Sequence, residues 1–158
     1  MPSMPANENP IPGRLAGVDY GTIRIGVATT DPERRWVNPF ANYTRRDAAA
    51  DAEWFRKLAA EERIAKFVVG LPLHLDGRES EKSLEARKFG AWLAEMTGRP
   101  VVYFDERFTS SEAEQLLAGA KMTKKRRKAR IDKLAAHLLL SAYLEAGQPE
   151  SQEPRGLE

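Results

Sequence analysis

Four carboxylates stand where apolar stretches of this chain give way to polar ones. Asp19 closes the run "RLAGVD", Asp105 and Glu106 close "PVVYFDE", and Asp132 lies between apolar neighbours near the start of "IDKLAAHLLLSAYLEA". In sheets built with helical crossovers, ligand sites gather at the carboxyl ends of strands, which is where Asp19, Asp105 and Glu106 fall. Carboxylates that converge have two common outcomes: one stays protonated, or a divalent cation neutralises the group. Oxygen donors in a chain without cysteine favour Mg2+ or Mn2+ over zinc. Two such ions about 3.5 to 4 Å apart can activate a water and stabilise a leaving oxygen, the chemistry of phosphodiester hydrolysis. If the acids share a site, the carboxyl oxygens of Asp19, Glu106 and Asp132 should lie within about 5 to 7 Å of a common point. Each acid also has a plainer use: Asp19 as a turn residue before Gly21, Asp105 and Glu106 as partners of Arg107, Asp132 as a favourable charge near a helix N-terminus.

The elements that must position them follow from hydrophobic period. "RLAGVDY" and "IRIGVAT" flank Gly21-Thr22 and alternate as hairpin strands, and a third strand is expected over "RRWVNPF", Arg34 to Phe40. Asp47 can cap a helix in which Ala48, Ala52, Phe55 and Ala59 recur at helical spacing. "KFVVGLP" and "PVVYF" are short apolar runs suited to strands buried on both faces. Between them Asp76 and Glu79, at capping-box spacing, predict the start of a helix that carries Phe89, Trp92, Leu93 and Met96 on one stripe and stops at Gly98. Thr109 and Glu112 predict a short helix ending near Gly119, and a last, almost wholly apolar helix is expected from about Ala129 to Ala146. Three hairpin-connected strands plus two strands reached by crossovers make an α/β fold with a mixed five-stranded sheet and helices on both faces, the layout of an RNase H-like domain. Gly17 and Gly21, beside Asp19, are expected to let metal and phosphate approach the backbone closely.

The 158 residues, 42% of them hydrophobic, suffice for one domain, expected over residues 14–146 between disordered tails at 1–13 and 147–158. The lack of cysteine gives no reason to expect an oxidising compartment, and no apolar run approaches the roughly 20 residues of a membrane span. A soluble, cytoplasmic protein without a membrane partner is expected. The net charge of +2 hides an asymmetry: "KMTKKRRKAR", Lys121 to Arg130, holds seven basic residues and no acid. Such a run is either a solvated face or a contact for a polyanion. Basic side chains at a helix start oppose the macrodipole, so helix support explains Lys124, Lys125, Arg126, Arg127 and Lys128 poorly.

Four stretches together resemble the YqgF family, the RuvX-type pre-16S rRNA nucleases also described as Holliday junction resolvases. They are "GVDYGTIRIGVATTD", "VVGLPLHLDGRES", "FDERFTSSEAEQLL" and "IDKLAAHLLLSAYLE", in that order over about Arg14 to Glu145. The resemblance implies an RNase H-like fold and a divalent-metal-dependent nuclease acting on structured nucleic acid, with association to a ribosomal precursor and a monomeric or homodimeric state. It casts Asp19, Glu106 and Asp132 as metal ligands and catalytic residues, with Asp105 in the family's acidic pair. Arg24, in "RIG", becomes a candidate phosphate contact, and Arg107 a residue that orients a carboxylate or touches substrate. Two positions depart from the pattern. Ile23 stands where the family often has Lys, and His74 where the "GLP" loop usually has Asn; His74 could donate to phosphate, coordinate a metal, or be an ordinary loop residue.

The favoured reading is a Mg2+- or Mn2+-dependent nuclease maturing the 5′ end of the 16S ribosomal RNA precursor, with Lys124 to Lys128 and Arg24 gripping the backbone. A Holliday junction resolvase would use the same chemistry on DNA and normally needs a dimer. A kinase or ATPase of the actin and sugar-kinase superfamily shares the "GVDYGTIRIGVA" hairpin, but requires a second domain for which this chain has no room. A noncatalytic RNA-binding module would account for the basic run and leave the acids unexplained, because bare carboxylates repel phosphate.

Overall fold

The computed structural model describes residues 13–106 and 124–150, with the helical backbone alone over 124–133. Three antiparallel strands open the fold: β1 (Arg14–Asp19), β2 (Arg24–Thr30) and β3 (Val37–Thr44). Then follow α1 (Ala48–Glu61), β4 (Ile64–Leu71), α2 (Glu81–Thr97), β5 (Val101–Asp105) and, as the last helix, α3 (Lys124–Glu145). The sheet order is β3-β2-β1-β4-β5, with β1 parallel to β4 and β4 parallel to β5, so the mixed five-stranded sheet expected from the sequence is present.

Alternation along the strands feeds two cores. Ala16 and Val18 of β1, with Phe67 and Val69 of β4, face α1 and α2 in a cluster around Phe55, Phe89 and Leu93. Leu15 and Val68 turn the other way and pack with Ala136, Leu140 and Tyr143 of α3. Side chains of this size, buried at roughly 1.5 to 3 kcal/mol each, hold helices to both faces of the sheet.

Several boundaries move, each for a local reason. The third strand lies later than Arg34–Phe40, because Asp31 collects the backbone N–H groups of Glu33, Arg35 and Trp36 into a turn before β3 begins. Ala48, the first of the predicted α1 stripe, is exposed, whereas Asp51 and Leu58 are buried with Ala52, Phe55 and Ala59. Asp47 does cap α1, accepting from Ala50 N at 2.8 Å. Helix α2 does not start at Asp76. That carboxylate accepts from Arg78 N and Arg78 Nε instead, closing the loop before the helix, and the cap is Ser80, in a reciprocal box with Ser83. Glu79 receives Ser83 Oγ and Arg87 Nε. Gly98 ends α2 in the left-handed region, as its position predicts. The last helix begins at Lys124 rather than near Ala129, so the basic run forms its first turns instead of preceding it, and Asp132 sits in its third turn. The helix predicted between Thr109 and Gly119 lies outside the described residues.

Gln148 and Pro149, in the stretch read as a tail, accept hydrogen bonds from Arg34 Nη1 at 3.0 Å and Tyr143 Oη at 2.9 Å. Among the described residues no helix is long and apolar enough to cross a membrane.

Candidate active site

Strand β1 is central in the sheet, and its last residue, Asp19, pairs with Gly26 of β2. On its other side β1 runs parallel to β4, which carries Gly70 one residue past the partner of Val18. Beyond β4, Glu106 follows the end of β5 and stays in line with the sheet through its backbone N–H, which donates to Leu71 O at 3.2 Å. These three strand ends bring Asp19 and Glu106 into the lining of one cleft of about 440 Å3.

Gly70 makes this possible. A Cβ on Gly70 would overlap the Glu106 carboxylate, so the acid lies against bare backbone. Burial first, then the negative charges of Asp19 and Asp105, push the Glu106 carboxyl up to about 8. A half-buried acid with two acidic neighbours takes up a proton near neutral pH or calls for a cation. The donor set is hard oxygen, which suits Mg2+ or Mn2+. Among the described residues no group of three or more His, Asp or Glu side chains is placed to hold a metal ion, so the Asp19–Glu106 pair would need a further ligand.

The third expected ligand, Asp132, has a described backbone position but no described side chain. Its place follows from how α3 crosses the sheet. A Cβ on Gly17 would meet Leu140 Cβ at 2.9 Å and Ala136 O at 3.2 Å, so the helix rests on the β1 backbone. Arg34 links Gly13, at the start of β1, to Gln148, just beyond the helix C-terminus. Helix α3 therefore runs against the direction of β1, and position 132, one turn before Ala136, lies toward the strand end that carries Asp19.

Gly17 does not serve the expected purpose: the space over it is filled by α3, and its missing side chain permits helix packing. A Cβ on Gly21 would overlap the Arg24 carbonyl across the tight turn, so Gly21 permits chain reversal, and it also lines the cleft. Asp105 acts on Glu106 through its charge but does not line the cleft. Arg24 does line it, as does Ile23, which is 67% exposed. His74 is exposed in the loop closed by Asp76 and Arg78 and does not line the cleft. Arg107 and the side chains of Lys124, Lys125, Arg126, Arg127 and Lys128 lie outside the described residues.

Sequence reasoning missed the support behind Asp19. Asp51, fully buried in the first turn of α1, accepts from Tyr43 Oη at 2.6 Å, Arg46 N at 2.8 Å and Arg45 Nε at 3.2 Å. Burial alone would raise its carboxyl, but these donors hold it below the usual range. Burial and the Asp51 carboxylate push the Tyr43 hydroxyl up to about 12. Arg45 then reaches forward. Its Nη1 donates to Tyr20 Oη at 3.0 Å and its backbone N donates to Ile23 O at 2.8 Å, so both ends of the β1–β2 turn are tied to α1. Tyr20 also packs on Phe89 of α2, with ring centroids 4.9 Å apart. An Arg between β3 and a capped helix was the available signal, but only tertiary contact reveals its partner. Lys82 and Glu85 of α2, which also line the cleft, were missed as well.

Residues 13–146 match the family model described as RuvX, Holliday junction resolvase. A Rhodopirellula baltica protein named "Putative pre-16S rRNA nuclease" is 51% identical over 137 residues, covering 87% of this chain and 79% of its own. A protein of the same name from Koribacter versatilis is 38% identical over 142 residues, covering 90% and 93%. In fold, the chain is similar to T. thermophilus RuvC solved in complex with a Holliday junction substrate (TM-score 0.56, 16% identity, covering 89% of this chain and 99% of that one). It is also similar to the fowlpox virus Holliday junction resolvase (TM-score 0.51, 10% identity, covering 84% and 99%). With a family match over most of its length and relatives well above 30% identity, the chain belongs to the RuvX family.

Proposed function

We propose that this protein is a divalent-metal-dependent nuclease that hydrolyses phosphodiester bonds in maturing the 5′ end of the 16S ribosomal RNA precursor, in the cytoplasm. One observation carries the reading: Glu106 is held against Gly70, in the cleft of Asp19, where its charge is unfavourable without a cation. The names of the relatives point to the substrate. Asp19 and Glu106 would hold Mg2+ or Mn2+ together with Asp132, and Asp105 would deepen the negative field. When bound, the ions supply a polarised water and neutralise charge on the departing oxygen. Arg24 would bind a substrate phosphate at the cleft wall, and Arg107 would orient a carboxylate or touch the substrate. Lys124, Lys125, Arg126, Arg127 and Lys128 would grip the backbone beside it. His74, exposed in the loop that follows Pro72 of the cleft lining, would donate to a substrate phosphate.

A second reading, a Holliday junction resolvase, is favoured by the family description and uses the same residues on DNA. It calls for two symmetric sites and hence a homodimer. The test is to incubate the protein with Mg2+ or Mn2+ and three labelled substrates: a 16S precursor end, a four-way DNA junction and linear single strands. Cleavage of the precursor end, lost in Asp19→Asn, is the expected result. Paired symmetric nicks in the junction by a dimer would favour the second reading. The nuclease reading fails if nothing is cut with either metal and Asp19→Asn leaves nucleic-acid binding unchanged.

A further inference from the structure

We propose that Lys82 is a substrate-binding residue, contacting a phosphate of the nucleic-acid strand in the cleft that Arg24 also lines. This inference rests on the nuclease reading and adds to it a residue and a strand path. Arg24 reaches the cleft from the β1–β2 turn, whereas Lys82 reaches it from the first turns of α2. The two walls are fixed relative to each other by the packing of Tyr20 on Phe89, seven residues further along the same helix. Asp19 and Glu106 line the space they share.

Neither structure nor stability accounts for the charge of Lys82. It is exposed and forms no ion pair among the described residues. A cation in the first turn of a helix opposes the macrodipole. The cap of α2 is complete without it, through Ser80, Ser83 and Glu79 with Arg87. Glu85, three residues on and lining the same cleft, would repel a phosphate, so a cation beside it offsets that repulsion where a strand must pass. Arg24 and Lys82 thus reach the cleft of the acidic centre from two different elements, suited to two phosphates of one strand.

The experiment measures affinity and salt dependence on the full chain, with Mn2+ present and a phosphorothioate-substituted single-stranded RNA carrying the 16S precursor end. Each phosphate contact on a single strand adds about 0.7 to the steepness of log K against log salt concentration. Lys82→Ala should weaken binding about 3- to 10-fold, make the slope shallower by roughly 0.7 and raise KM on cleavable RNA by a similar factor. Lys82→Arg should keep wild-type behaviour, and Glu85→Gln should tighten binding about twofold by removing a like charge. Lys57→Ala, on the far side of α1 beside Glu61, is the control and should change nothing. Unchanged affinity and slope in Lys82→Ala, in a protein that binds and cuts, overturns the assignment of Lys82 alone. A wild-type chain that binds no nucleic acid overturns the assignment and the nuclease reading together.

Discussion

Replacing Glu106 with Gln should make the metal-free protein less sensitive to rising pH. In the folded state the Glu106 carboxyl is pushed from 4.5 to about 8, by burial and then by Asp19 and Asp105. The folded protein therefore holds this proton over a range where the unfolded chain has released it, and stability falls as pH rises from about 4.5 to about 8. At 1.36 kcal/mol per pH unit the whole gap corresponds to roughly 5 kcal/mol. Water entry and relaxation around a half-buried group reduce this, and about 2 to 3 kcal/mol between pH 5 and pH 8 is the expected loss. Gln keeps the shape of the protonated acid and removes the titration. Urea denaturation with EDTA at pH 5 and pH 8 should show wild type losing about 2 to 3 kcal/mol more than Glu106→Gln over that interval. The difference between the two proteins cancels the histidines and every other group they share. Mn2+ at pH 8 should restore wild-type stability by binding the ionised site and should do little for the variant. Parallel pH dependences would refute the crowding of charge on which the metal site is argued.

Gly70→Ala should displace the Glu106 carboxylate from its seat, abolishing cleavage and weakening Mn2+ binding by titration calorimetry while costing only about 1 to 2 kcal/mol of stability. Gly17→Ala should act the other way round, prising α3 from β1 and lowering stability by about 1 to 3 kcal/mol by thermal melting, with any loss of activity following from unfolding. Asp51→Asn should cost about 3 to 5 kcal/mol near neutral pH, since it leaves Arg45 without its buried counter-charge. Because the Asp51 carboxyl is lowered in the folded state, its contribution is present above the unfolded value and lost on acidification, so the variant and wild type should converge in stability at low pH.

The sheet was legible because its strands are signalled twice, by period-two alternation in β1 and β2 and by continuous apolar runs in β4 and β5. Asp19 and Glu106 could be placed together once strand order was inferred, since both lie at carboxyl ends of strands in the middle and edge of one sheet. Helix starts were harder. Asp76 and Ser80 both offer capping chemistry, and only the pairing of Asp76 with Arg78 removes the first of them. The helix was expected from about Ala129, behind most of the basic run, whereas the helical backbone is continuous from Lys124. Gly17 was misread because a missing side chain announces that something comes close, but not whether it is a ligand, a helix or a neighbouring acid. Arg45 offered only its place between β3 and a capped helix, because its partners come from elements distant in sequence.

The seating of α3 on the bare backbone of β1 also bears on the order in which the working protein comes into being. Asp19 is made well before the helix that covers the neighbouring Gly17. During synthesis the acids would therefore wait, with one face of the central strand uncovered, until Lys124–Glu145 has emerged. A nascent chain stalled before Lys124 should be unable to cut RNA, and cleavage by such stalled complexes would contradict this timing.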